Sequence, residues 1–191
     1  MMTKKIQSKQ AKLKELILAI LTKTPNIPKV KLAKLILFAE LEHFKRTGES
    51  FTGLYFVRLP MGPVIAFYDQ VLEDGIGKYW NQTSEPIHIL EEGTEKIQYH
   101  YTALEKPIAD KGLQTTIDKV IHHYSHKSGK ELSLLSHDLP AWRYAEPLEP
   151  IYLAELAAVD EKEYFALTDL VEDIEDADDL AKKIPRPLCP A

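Results

Sequence analysis

The feature that most constrains the fold is a stretch of about twenty residues, from Pro28 to Arg46, in which apolar side chains recur at helical spacing. The apolar positions are Leu32, Leu35, Ile36, Phe38, Ala39, Leu41 and Phe44. This set is too wide for one stripe of a surface helix, so we predict a central helix that is packed on more than one side. Pro28 suits the first turn of that helix, and Gly48 suits its C-terminal end.

A second helix is predicted just before the central one. Its apolar residues follow the i, i+3, i+4, i+7, i+8 pattern of a single helical face and are Leu13, Leu16, Ile17, Ile20 and Leu21. Ser8 is the candidate N-cap, and Pro25 falls where the helix should end. The two helices together provide enough apolar surface to begin a core.

The remaining chain mixes helical and extended patterns. Residues 52–59 favour a short extended segment, and Pro60-Met61-Gly62-Pro63 predicts a turn. Alternation over 87–90 and 97–101 predicts an antiparallel hairpin that turns at Glu91–Thr94. Further helices are predicted from Pro63 to a stop at Gly75, over 113–124, over 132–136 and 139–145 with Ser136 as a cap, and from Ile151 or Asp160 onward. The predicted fold is therefore mainly α-helical (α+β): a compact helical domain with one small antiparallel β-ribbon.

Charge is distributed unevenly along the 191 residues. The net charge is −5, but residues 1–50 carry +7 and residues 151–191 carry −7. The basic and acidic ends either attract each other or face different partners. We expect a single domain over residues 1–168 and an acidic, proline-containing tail over 169–191, because the helical pattern ends in an acidic run followed by Pro185 and Pro187.

Several classes of protein and of site are disfavoured by the sequence. The single cysteine, Cys189, provides neither a disulfide nor a cysteine-based zinc site. No apolar run reaches the ~20 residues of a membrane helix, and no signal peptide is apparent. His122 and His126 have a two-ligand spacing without a third ligand, so we expect no metal and no cofactor. We predict a cytoplasmic protein with no membrane partner.

Catalysis is disfavoured as well, although Ser136-His137-Asp138 contains the residue types of a hydrolase triad. Adjacent side chains diverge in both helices and strands, whereas a triad needs them to converge. No nucleophile-elbow glycines flank Ser136. We therefore expect no catalytic residues and no enzyme activity.

Three ordered motifs connect the chain to a known family. They are the helix Lys31–Phe44, the stretch Thr47–Tyr55 with Leu59–Val64 after it, and Leu135-Ser136-His137 with Trp142 and Ile151 downstream. Together they resemble the Panacea antitoxin-domain family, whose members are also called SocA-like or GepA-like. The chain departs from the family pattern at Glu40, where an aspartate is usual, and at Met61, where an aromatic residue is usual.

The resemblance implies an antitoxin that neutralises a small toxin encoded beside it, by direct binding or by delivery to a protease. The expected partners are the cognate toxin and, for delivery, a protease or chaperone. The contact surface is expected in the Ser50–Val64 segment or in the acidic rear of the chain, which would attract a basic toxin. The candidate partner-binding residues are Glu40, His43, Ser50, Thr52, Tyr55, Pro60, Gly62, Pro63, His137 and Trp142. Glu40 and His43 share a helical face and are predicted to hold the Thr47–Thr52 loop.

The alternative function is a DNA-binding regulator whose N-terminal half is similar to a winged helix. Two basic helices followed by a hairpin suggest it, with Lys31 and Lys34 as the candidate phosphate contacts. The net acidic charge and the scatter of the basic residues favour protein binding over DNA binding.

Overall fold

Helix α2 (Lys29–Thr47) is the element around which the other helices are arranged. The structure is a computed structural model that describes residues 2–89, 94–107 and 111–171. The described helices are α1 (Met2–Lys23), α2, α3 (Tyr68–Asp74), α4 (Lys111–Tyr124), α5 (Gly129–His137), α6 (Pro140–Tyr144), α7 (Leu153–Leu156) and α8 (Glu161–Val171). Helix α2 packs against α1, α4, α5 and α7, which confirms the prediction of a central helix.

The packing of α2 follows from its sequence. All ten residues from Leu32 to Leu41 are buried, so the helix has an apolar surface on every side over three turns. Gly48 ends it in the left-handed conformation (φ 76°), and the Gly48 amide donates to the Phe44 carbonyl at 2.7 Å. Pro28 precedes the helix in an extended conformation. Within the buried run, Lys34 and Glu40 are the two charged residues.

Two small antiparallel sheets complete the fold. The described strands are β1 (Ile27–Pro28), β2 (Phe56–Val57), β3 (Val64–Ile65), β4 (Trp80–Ile89), β5 (Thr94–Ala103) and β6 (Pro150–Ile151). One sheet has the order β1-β5-β4 and the other β3-β2-β6. The predicted hairpin is present as β4 and β5, paired from Trp80 with Ala103 to Ile89 with Thr94. The mainly α-helical α+β prediction is confirmed, and the β3-β2-β6 sheet is an addition to it.

The helix predicted to start at Pro63 begins later, at Tyr68, whereas its predicted end at Gly75 is confirmed. Val64 and Ile65 form strand β3 against β2, and α3 begins only at Tyr68. Phe67 has φ 63°, a left-handed conformation that cannot continue a helix backwards toward Pro63. Ser8 is likewise not a cap, since it lies inside α1, which the structure follows from Met2.

The C-terminal part also differs in detail from the prediction. Ser136 does not cap α6: it is buried in α5 and its hydroxyl donates to the Ser133 carbonyl at 2.7 Å. Ile151 lies in β6, and α8 begins at Glu161, where the Asp160 carboxylate accepts from the Glu163 amide at 2.8 Å. Residues 90–93 and 172–191, which include the predicted hairpin turn, most of the acidic tail and Cys189, lie outside the described residues. In the described part of the chain, no helix combines the length and apolarity needed to cross a bilayer.

Candidate partner-binding site

Glu40, at the centre of α2, holds the start of the segment formed by residues 50–65. Its side chain is fully buried, and its two oxygens accept hydrogen bonds from the Ser50 hydroxyl (3.0 Å), the Phe51 amide (3.0 Å) and the Thr52 amide (2.9 Å). Burial raises the pKa of Glu40, and the hydrogen bonds from Thr52, Ser50 and Phe51 act against that rise. Every donor that faces this carboxylate comes from the 50–65 segment, so the buried acid fixes the backbone there.

Lys34, nearly two turns earlier on α2, holds the other end of the same segment. Its side chain is 1% exposed, and its Nζ donates to the Pro63 carbonyl at 2.9 Å. Burial lowers the pKa of Lys34 to about 7. Gly62 makes this approach possible: a methyl group there would lie 2.0 Å from Ser136 Oγ and 2.6 Å from Lys34 Nζ. Gly62 also has φ 95°, which disfavours any other residue.

The downstream motif supplies the third contact with the turn at residues 59–63. The His137 ring stacks on the Trp142 ring, with 3.8 Å between centroids and 9° between planes. Trp142 Nε1 donates to the Leu59 carbonyl at 3.0 Å. Burial lowers the pKa of His137, and the charge of Lys34 acts in the same direction, while a hydrogen bond with the Pro60 backbone opposes both. His137 and Trp142 therefore join α5 and α6 to this turn.

Arg58, which belongs to the 50–65 segment, also contacts Trp142 of α6. Its guanidinium lies over the Trp142 ring, 4.9 Å from the centroid, and its Nε donates to the Trp142 carbonyl at 2.9 Å. The Arg58 backbone exchanges hydrogen bonds with Glu149 and Leu148 beside the β2–β6 pairing. The 50–65 segment is thus held at both ends and along its middle.

The side chains that the segment exposes are mainly apolar. Met61 is 51% exposed and Tyr55 is 37% exposed. Pro60, at the tip of the turn beside Met61, is exposed too. Fixed backbone with outward apolar side chains is an arrangement that can bind another protein, because a surface ordered in advance loses little conformational freedom on binding.

The ten residues predicted as partner-binding thus occupy three kinds of position. Most hold the segment from within: Glu40, Ser50, Thr52, Gly62, Pro63, His137 and Trp142. Tyr55 and Pro60 face outward. His43 lies at the edge of this arrangement, where its ring meets the Phe51 ring edge-on at 5.6 Å and Nδ1 lies 3.4 Å from an Arg46 nitrogen. The structure therefore brings together the three sequence motifs, which are up to about 100 residues apart in the chain.

The sequence prediction missed Lys34 and Arg58 as members of this site. Lys34 was instead a candidate DNA contact, and that prediction is wrong because its ammonium is buried against Pro63. Lys31, the other candidate, donates to the Ser125 carbonyl at 2.6 Å. A lysine between Ala33 and Leu35, inside an otherwise apolar run, is the signal that indicates burial of Lys34.

The other candidate sites do not assemble in the described residues. Ser136 is fully buried with its hydroxyl on Ser133, while the His137 ring lies on Trp142. His122 lies against His123, with ring centroids 5.7 Å apart. Within residues 2–89, 94–107 and 111–171, no three His, Cys, Asp or Glu side chains are grouped to hold a metal ion.

Comparison with known proteins adds one finding. A family model described as "Antitoxin SocA-like, Panacea domain" matches residues 32–143. No curated protein and no solved structure matches the chain. The matched stretch contains Lys34, Glu40, the whole 50–65 segment, His137 and Trp142, and it covers more than half of the chain. The chain therefore belongs to the SocA-like antitoxin family that is defined by the Panacea domain.

Proposed function

We propose that this protein binds a cognate toxin and neutralises it, either by covering the toxin's working surface or by delivering it to a protease. Family membership supports an antitoxin role in general. The observation that supports a particular contact surface is the arrangement of the 50–65 segment. Its backbone is held from within by Lys34, Glu40 and Trp142. Three buried or half-buried polar side chains hydrogen-bond to the backbone of this one segment, which favours a functional role for its conformation.

In this proposal the exposed side chains of the segment contact the toxin. Tyr55 and Met61 offer the aromatic and flexible apolar groups that are enriched at protein interfaces. Pro60 adds a rigid apolar surface at the tip of the turn. The residues that hold the segment are positioning residues and do not touch the toxin.

The test is co-expression with the product of the adjacent gene as the candidate toxin, followed by affinity capture and size-exclusion chromatography. A stoichiometric complex, together with rescued growth of cells that carry the toxin, is the expected result. Replacing Tyr55 and Met61 by alanine should weaken binding by at least tenfold, as for central interface residues. The matched control replaces Ile97 and Tyr99, which are similarly exposed on β5. If the wild-type protein neither binds the toxin nor rescues growth, the proposal is refuted.

The DNA-binding alternative gains no support from the described residues. Burial removes Lys34 from the surface, and the hairpin that would serve as a wing exposes Glu85 and Glu95 beside Lys96. Phosphate backbones repel carboxylates, so such a hairpin is poorly suited to a DNA groove. Protein binding is therefore the function that we propose.

A further inference from the structure

A cluster of aromatic side chains lies exposed where α6 meets α8. The ring centroids of Tyr144 and Phe165 are 5.0 Å apart. The centroid of the Tyr164 ring lies 5.8 Å from that of Tyr144 and 5.2 Å from that of Phe165. Tyr144 is 42% exposed and Phe165 is 49% exposed, whereas Tyr164 is buried beneath them. We call the exposed pair, Tyr144 and Phe165, the aromatic face.

Acidic side chains surround the aromatic face. Glu161 accepts a hydrogen bond from the Tyr144 hydroxyl, which raises the pKa of that tyrosine, and it also lies 3.5 Å from Arg143. Asp160 and Glu163 are nearby at the start of α8. The basic side chains close to these three carboxylates are Arg143, which pairs with Glu161, and Lys162. Three carboxylates and two basic side chains leave an excess of negative charge beside the rings, which attracts cations.

The aromatic face also stands apart from the basic end of the chain. Helix α8 packs on α6 and α7, whereas the lysine-rich α1 packs on α2, α3, α4 and β5. Within the described residues, the acidic start of α8 and the lysines of α1 thus belong to elements with different packing partners. The rings also lie just beyond the family match, which ends at residue 143.

The aromatic face is nevertheless connected to the proposed toxin-binding segment. Strand β6 pairs with β2, so Val57 lies opposite Pro150. Tyr144 lies two residues after Trp142, whose Nε1 donates to the segment at Leu59. The aromatic face and the 50–65 segment are therefore joined through α6 and through the β2–β6 pairing.

We propose that the aromatic face binds an arginine- or lysine-bearing segment of the partner protein, with a cationic side chain packed on the Tyr144 and Phe165 rings. Planar guanidinium groups stack on aromatic rings, and the surrounding carboxylates hold the positive charge. The partner class is a basic polypeptide, and the identification of that partner as the toxin rests on the function proposed above. The chemistry of the face also allows a test without the toxin.

The probe is a fluorescein-labelled (Arg-Gly)4 peptide, titrated into the full-length protein and followed by fluorescence anisotropy at low and moderate salt. The double variant Tyr144→Ala/Phe165→Ala should bind the peptide about tenfold more weakly than the wild type, since each ring contributes a cation–π contact. The charge is unchanged in this variant, so a contribution from the acidic tail is common to both proteins. The matched control, Ile97→Ala/Tyr99→Ala on β5, should bind as the wild type does.

A second variant keeps the test informative if the double variant unfolds. Phe165→Leu preserves apolar contact with Tyr164 but removes one ring, and we expect binding to weaken by about threefold. Equal peptide affinity for the wild type and Phe165→Leu, or no binding by the wild type, overturns the inference. Toxin capture is measured in parallel: a wild-type protein that binds the peptide but not the toxin refutes the proposed function and leaves the aromatic face as a binding site for basic polypeptides.

Discussion

Replacing Lys34 by methionine should remove a pH dependence of stability that arises from one buried amine. Burial lowers the pKa of Lys34 from the ordinary 10.5 to about 7. At 1.36 kcal/mol for each pKa unit, the protonated form is disfavoured by about 5 kcal/mol in the folded protein relative to the unfolded chain. Methionine has a similar length and no proton to bind, so the variant lacks this contribution.

The sign follows from the protons bound in each state. Between pH 7 and pH 10 the unfolded chain holds a proton on Lys34 and the folded protein does not, so stability rises as the pH rises. For pKa values of about 7 and 10.5, linkage gives a rise of about 2 kcal/mol between pH 7 and pH 9. The free energy of unfolding of the wild type, minus that of Lys34→Met, should increase by this amount.

The measurement is urea unfolding followed by tryptophan fluorescence at pH 7, 8 and 9. Trp80 is fully buried and Trp142 is partly buried, so both report unfolding. Lys45→Met is the matched control, because Lys45 is an exposed residue of the same helix. Its stability should follow the wild type at every pH. If Lys34→Met also follows the wild type from pH 7 to pH 9, the ammonium is hydrated and the argument for a buried amine at Pro63 is wrong.

Three further predictions concern Glu40, Gly62 and Glu155. Glu40→Gln should lower the free energy of unfolding by about 2–3 kcal/mol in a urea titration, because one amide oxygen cannot accept from Phe51 and Thr52 as two carboxylate oxygens do; an unchanged midpoint would contradict this. Gly62→Ala should lower the free energy of unfolding by about 3 kcal/mol, because of backbone strain and a clash with Ser136. The control Gly77→Ala, at φ 73° with open space around it, should lower it by about 1 kcal/mol, and equal thermal shifts for the two variants would refute the clash. Burial raises the pKa of Glu155 to about 7, so folding favours its protonated form and stability is lost as the pH rises from 5 to 7. The free energy of unfolding of Glu155→Gln, minus that of the wild type, should therefore increase by about 2 kcal/mol over this range, and parallel pH profiles would refute this.

The central helix could be predicted from the sequence because its signal is local. The apolar positions of α2 cover more than one face, and Gly48 provides its left-handed end. The hairpin was also predictable, since alternation and turn residues are features of adjacent segments. Local periodicity is therefore enough for elements longer than about two helical turns or about five strand residues.

The β3-β2-β6 sheet could not be predicted in this way. Each of its strands has two paired residues, too few to show a period of two. Val64 and Ile65 are extended because they pair with β2, and β2 in turn pairs with β6 about 90 residues later. Sequence spacing favoured a helix there, and long-range pairing together with the left-handed Phe67 determined the outcome.

The contacts that hold the 50–65 segment were predictable only in part. Glu40 was expected to hold the loop after α2, and its hydrogen bonds to Ser50, Phe51 and Thr52 confirm that role. Lys34 was taken for a surface residue, since lysine is seldom buried. Its partner is a carbonyl 29 residues away, placed by a turn whose approach depends on Gly62, and no local pattern carries that information.

The two buried charges of α2 are better explained by the conformation of the 50–65 segment than by stability. Apolar residues of similar volume would fill the same space at a lower desolvation cost. They could not, however, donate to the Pro63 carbonyl or accept from the Phe51 and Thr52 amides, which fix where Tyr55 and Met61 point. It follows that stability and the proposed toxin binding should separate in Lys34→Met. We expect this variant to fold at pH 7 and to bind the toxin more weakly than the wild type, because an unheld segment must be ordered on binding. If Lys34→Met keeps wild-type affinity for the toxin, the segment either needs no such support or is not the contact surface.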